Sequence, residues 1–114
     1  MGHREKLPRR IYFQIKDACE LTDRNASAIR YWLDQFNIGT VKRIKGGKRT
    51  FSESDLQKVL AIKYLLDVEY YTMKGAQIKY NLWERGEYKI PEDYIKVPED
   101  FIFKAEDDFV LEYD

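Results

Sequence analysis

Apolar residues recur at helical spacing along much of this chain and give way to short alternating runs in one stretch. The helix that organises the rest is predicted from Asn25 to Phe36. There Ile29, Trp32, Leu33 and Phe36 fall on one side, while Asn25, Ser27, Arg30, Tyr31 and Asp34 fall mostly on the other. One face can pack and the other can read a partner. Asn25 is placed to cap the free N–H groups of the leading turn, and the small residues Ala26 and Ser27 let the backbone enter a groove closely. A plain core helix with a solvated polar face carries the same pattern, so the neighbouring stretches decide between the two.

Upstream, Ile15, Ala18, Cys19 and Leu21 predict a short helix with a small-residue face, and Thr22-Asp23-Arg24-Asn25 reads as a tight turn. That is helix-turn-helix grammar. Small residues where two helices cross permit close approach, which makes Cys19 a buried spacer rather than a nucleophile or metal ligand. After Phe36 the period changes. Thr40 to Ile44 and Lys48 to Phe51 are partly alternating runs around Lys45-Gly46-Gly47, and a Gly-Gly pair supplies the positive φ that a hairpin turn needs. Five cations, Lys42, Arg43, Lys45, Lys48 and Arg49, lie within eight positions of this hairpin. Directly behind a helix-turn-helix, such a cluster is better explained as a wing gripping phosphate than as a solvated face.

Ser52, with Asp55 three residues on, opens a third helix whose apolar face is supplied by Leu56, Val59, Leu60, Ile62, Leu65 and Leu66. Thr72 caps a fourth running to about Leu82, with Gly75, Ile78 and Leu82 expected to face inward and Gly75 to allow a close helix contact. Beyond Gly86 a seven-residue unit repeats from Pro91, Pro98 and Ala105, each an acidic turn followed by apolar or aromatic residues. Prolines at two unit starts exclude a continuous helix, so short extended pieces with turns are expected. A disordered tail would not concentrate Tyr94, Ile95, Phe101, Ile102, Phe103, Phe109, Val110, Leu111 and Tyr113, and part of it is expected to dock. Three targets are open: the third and fourth helices of its own subunit, which is preferred, exchange with a second subunit, or the basic wing.

Composition matters here through its distribution. The 20 basic and 20 acidic residues cancel. Residues 1–50, however, carry 12 Lys/Arg against 5 Asp/Glu, and residues 90–114 carry 2 against 9. A basic head and an acidic tail result. One cysteine excludes an intrachain disulfide and a cysteine-rich metal site, and no stretch is long and apolar enough for a signal peptide or a membrane span. With His3 and Cys19 alone, no nucleophile–base pair is visible, so neither enzyme activity nor a catalytic, metal or cofactor site is expected.

Ile15, Cys19 and Leu21, then Ile29-Arg30-Tyr31-Trp32, Gly46-Gly47-Lys48-Arg49-Thr50-Phe51, Ser52 to Leu56 and Tyr71-Thr72-Met73-Lys74-Gly75-Ala76 together resemble the DNA-binding domain of the MerR family of bacterial transcription regulators. The likeness covers about Tyr12 to Leu82. It implies a mostly α fold with a small β-hairpin wing: a winged helix-turn-helix of four helices, here with an acidic-aromatic C-terminal extension. The organisation expected is a basic N-terminal arm over 1–11, the winged domain over 12–84 and the extension over 85–114.

Function follows from the same resemblance: a sequence-specific transcription regulator that binds double-stranded DNA as a homodimer on an inverted repeat. The single cysteine and the lack of a signal region or membrane span make a cytoplasmic, nucleoid-associated protein with no membrane partner the expectation, and the acidic tail offers RNA polymerase a second place to bind. Asn25, Ala26 and Ser27 fall where the family places base-edge contacts. Arg30 and Tyr31 fall at its phosphate positions, and Arg43, Lys45, Lys48 and Arg49 on its wing. Trp32 and Phe51 match aromatic positions that brace helix against wing. Leu33 stands where the family usually has a glutamate, and Asp23-Arg24 replaces its usual glycine-plus-aliphatic turn. The long dimerising helix of the family has no counterpart before Pro91. Two other readings stay open: an architectural DNA-binding protein, similar to phage excisionases, and an interaction module that uses the acidic tail.

Overall fold

Helix starts in this protein are set by side chains that can accept the first free backbone N–H groups. A computed structural model describes residues 9–38, 42–43 and 49–103, and of residues 42, 43 and 49 the backbone alone. The elements in chain order are α1 (Ile15–Thr22), α2 (Ala26–Gln35), β1 (Lys42–Arg43), β2 (Arg49–Thr50), α3 (Glu53–Asp67), α4 (Met73–Glu84), α5 (Glu92–Ile95) and α6 (Glu99–Ile102). Asn25 Oδ1 accepts from the Ala28 N–H at 2.9 Å, and Thr72 Oγ1 from the Gly75 N–H at 3.1 Å. Ser52 and Asp55 exchange two such bonds, each 3.1 Å, at the head of α3. These are the caps read from the sequence, and each satisfies a donor that the helix itself leaves open.

The central element is α3, which packs on α1, α2, α4 and α5. Its Leu56, Val59, Ala61, Ile62 and Leu65 are almost fully buried, and Ile29, Trp32, Leu33 and Phe36 of α2 close over them in a single core. The strands pair antiparallel, Lys42 with Thr50 and Arg43 with Arg49. Phe13 extends the pairing onto Phe51 through N–H···O bonds of 2.7 and 2.8 Å, so the base of the ribbon is tied to the segment leading into α1. The turn expected at Gly46-Gly47 lies outside the described residues.

Four expectations change. The described residues form six helices rather than four, because the proline units fold as helical turns instead of extended pieces. Pro91 and Pro98 enter at φ near −60° with acidic residues in the first turn, where proline's fixed φ and the helix dipole both favour a start. The fourth residue of each turn, Ile95 or Ile102, is buried. The described extension docks on its own subunit, α5 against α3 and α6 against the segment that carries Arg10.

The inward face of α4 is Ala76 and Tyr80, not Gly75, Ile78 and Leu82. Ile78 is 56% exposed and Leu82 half-buried. Tyr80, in edge contact with Phe36 at 5.2 Å, fixes the rotation of α4 about its axis. Nor does Gly75 serve a helix crossing. A Cβ there would meet Tyr71 Cδ1 at 3.2 Å and Thr72 Oγ1 at 3.4 Å, both in its own leading turn.

Arg10, read as part of a basic arm, is buried. Its side chain pairs with Asp17 Oδ2 at 3.0 Å and donates to the Phe101 carbonyl at 3.2 Å, while its N–H donates to the Ile102 carbonyl at 2.9 Å. Arginine spacing alone does not separate a solvated arm from an anchor: Asp17 is seven residues away, but the Phe101 carbonyl that completes the anchor is 91 residues away.

Candidate nucleic-acid interface

Helix α2 is the most complete candidate surface. Its apolar stripe is used up in the core, with Ile29, Trp32, Leu33 and Phe36 at most 6% exposed. The opposite stripe, Ser27, Arg30, Tyr31 and Asp34 with Asn25 at the leading end, is exposed, Tyr31 by 50%. Asn25, Ser27, Arg30 and Tyr31 are thus brought together on one solvent-facing strip. The cap limits what Asn25 can do. Its Oδ1 accepts from the Ala28 N–H, which fixes the orientation of the side-chain amide and leaves the NH2 group and one oxygen lone pair for a partner. Ser27 carries no such obligation.

The half-buried Cys19 of α1 lies close enough to α2 to feel the charge of Arg30. Burial pushes its thiol above the usual range, with the charge of Arg30 opposing. An upward-shifted thiol is a poor nucleophile and fits a packing role.

The ribbon is the second part. Arg43 and Arg49 face each other across the ladder as a backbone pair. Lys45 and Lys48 lie outside the described residues, as do the side chains of Arg43 and Arg49. Phe51 and Thr50, at 1% exposure each, are consumed by the core and not offered to a ligand. Trp32 and Phe51 both lie in the common core. Leu33, at the place of the family's usual glutamate, is 4% exposed and adds apolar packing where an ion pair would otherwise stand.

Two polar ties hold α2 that the apolar pattern did not disclose. At its far end Gln77 Nε2 donates to the Gln35 carbonyl at 2.8 Å. At its near end Arg24 crosses from the turn to α3, its guanidinium 5.3 Å from the Trp32 ring centroid and 2.5 Å from Asp67 Oδ1. The signal for the second was present in the sequence: an arginine where the resembled family has an aliphatic residue. Among the described residues no helix is long and apolar enough to cross a membrane.

Comparison with known proteins places this geometry in context. Residues 13–80, more than half of the chain, match the profile of the MerR HTH family of regulatory proteins. The chain is similar to the HTH-type transcriptional regulator GlnR of Bacillus anthracis, 42% identical over 55 residues that make up 48% of this chain and 42% of that protein. It is also similar to the regulator protein TubY of Clostridium botulinum C phage, 31% identical over 71 residues, 62% of this chain and 30% of that protein. The chain thus spans less than half the length of these curated relatives. No solved structure matches it.

Proposed function

The chain belongs to the MerR HTH family of regulatory proteins, and from that premise we propose that it is a sequence-specific DNA-binding transcription regulator. Helix α2 enters the major groove, Ser27 and the Asn25 amide meet base edges, and Arg30 and Tyr31 hold the flanking phosphates. The hairpin carries Arg43, Lys45, Lys48 and Arg49 to the backbone as a wing, where neutralising phosphate releases condensed counterions. Two copies bind an inverted repeat, each α2 taking a half-site one helical turn, about 34 Å, from the other.

The observation that carries this reading is the division of α2 into a buried apolar stripe and an exposed strip of Asn25, Ser27, Arg30 and Tyr31. The names of the relatives, both regulators, support it. The test is selection from a library of random duplexes by the full chain, followed by sequencing. Enrichment of a two-fold repeat is expected, with Ser27→Ala relaxing the preference while nonspecific binding survives. A library returned without enrichment, or equal weakening on every duplex, would overturn the assignment.

A further inference from the structure

We infer that Arg24 is a positioning residue which sets the pose of α2, through Asp67 and the Trp32 ring, and so controls how well the protein discriminates between DNA sequences. The inference rests on the proposed reading of DNA by α2.

Apolar packing holds α2 through Ile29, Trp32, Leu33 and Phe36, but such contact is non-directional and tolerates small rolls of the helix about its axis. Directional bonds do not. The turn before α2 is rigid in its backbone: Asp23 takes a left-handed conformation at φ 60°, and the N–H groups of Asp23 and Arg24 both donate to the Cys19 carbonyl, at 2.8 and 3.2 Å. From that fixed base the Arg24 side chain makes three contacts. Nη1 donates to the Thr22 carbonyl at 3.2 Å, the guanidinium lies over Trp32 of α2, and Nη2 reaches Asp67 in the last turn of α3.

Asp67 is itself held by Lys63 at 3.1 Å, one turn back on α3. One side chain thus bonds the end of α1, stacks on α2 and ties both to the central helix. Arg24 and Asp67 are each about 30% exposed. The pair is therefore neither a freely screened surface contact nor a buried one. An aliphatic residue at position 24 would cover Trp32 but could not reach a carboxylate with a fixed geometry. Because base readout depends on side chains meeting groove edges within fractions of an ångström, a roll of α2 costs discrimination before it costs phosphate attraction.

The test uses the full chain with Arg24→Leu, which keeps the apolar cover of Trp32 and so the fold, and with Asp67→Ala, which leaves Arg24 in place. Affinities are measured by fluorescence anisotropy for a duplex selected by the wild-type protein and for a scrambled duplex of equal composition. The expected result is a fall in the selected-to-scrambled ratio by roughly tenfold in either variant, little change on scrambled DNA, and no further fall in the double variant.

Backbone hydrogen exchange of α2 in the free protein provides a second readout that needs no DNA. It should quicken in both variants relative to α3. An unchanged ratio, an equal loss on both duplexes, or unchanged α2 exchange would overturn the inference. If the wild-type protein selects no duplex while α2 exchange quickens in the variants, the DNA reading fails and Arg24 retains only its hold on the helix.

Discussion

Replacing Arg10 by alanine should unfold this protein more readily than any charge substitution on its surface. The Arg10 and Asp17 side chains are 4% and 1% exposed and lie 3.0 Å apart. The guanidinium also faces the Phe13 ring at 4.6 Å and donates to the Phe101 carbonyl. Arg10→Ala removes all of these and leaves the Asp17 carboxylate buried, with the Gln14 N–H at 2.8 Å still donating to it. Orphaning one member of a buried pair costs about 3–5 kcal/mol, and the surviving Gln14 bond puts the expectation at about 3 kcal/mol. For a chain of this size the melting temperature should fall by roughly 10–15 °C.

Urea unfolding followed by tryptophan fluorescence gives the free energy, since Trp32 is buried in the core. The double variant Arg10→Met/Asp17→Asn should lose much less, because it leaves neither charge buried and alone while the introduced amide oxygen can still accept from the Gln14 N–H. A loss below about 1 kcal/mol in Arg10→Ala, or a double variant as unstable as the two single losses added, would refute the reasoning.

Other substitutions test other contacts. Ile95→Ala, in the docked extension, should cost about 2–4 kcal/mol in the same unfolding assay, whereas Ile78→Lys on the exposed side of α4 should stay within about 0.5 kcal/mol. Asn25→Ala should cost about 1 kcal/mol through loss of the cap on α2, read from the urea midpoint. Burial alone would raise the Asp67 carboxyl, but hydrogen bonds from Lys63 and Arg24, with their charges, hold it below its ordinary value of 3.8. A depressed carboxyl stabilises the fold above the unfolded-state pKa and loses that contribution as pH falls through the folded-state value. The stability gap between wild type and Asp67→Asn should therefore be present at neutral pH and close as the pH drops below 3.8, as acid titration of the urea midpoint will show.

What the chain reveals before folding is whatever local chemistry settles. The caps at Asn25, Ser52 and Thr72 are legible because each serves a backbone group three residues away. The buried stripe of α2 is legible because its spacing is helical. The rotation of α4 is not, since Gly75, Ile78 and Leu82 fit a helical face as well as Ala76 and Tyr80 do. The ring contact of Tyr80 with Phe36 and the bond from Gln77 to the Gln35 carbonyl decide between them.

Arg10 and Arg24 are opaque for a related reason. A cation in a polar stretch reads as solvated until the fold brings an acceptor against it. Asp67 stands 43 residues from Arg24, and the Phe101 carbonyl 91 from Arg10. The proline units mislead in the other direction. Proline breaks helix interiors, yet as the residue before a first turn it starts one.

The proposed duplex-binding surface joins α2 to the ribbon. Its most direct measurement is the affinity of the full chain for a selected duplex as a function of salt. Log affinity should fall linearly with log salt, by about 0.9 for each phosphate neutralised, and Arg30→Ala and Arg49→Ala should each flatten the slope by about one unit. Slopes identical to wild type in both variants, or a protein that ignores duplex even in dilute buffer, would contradict it.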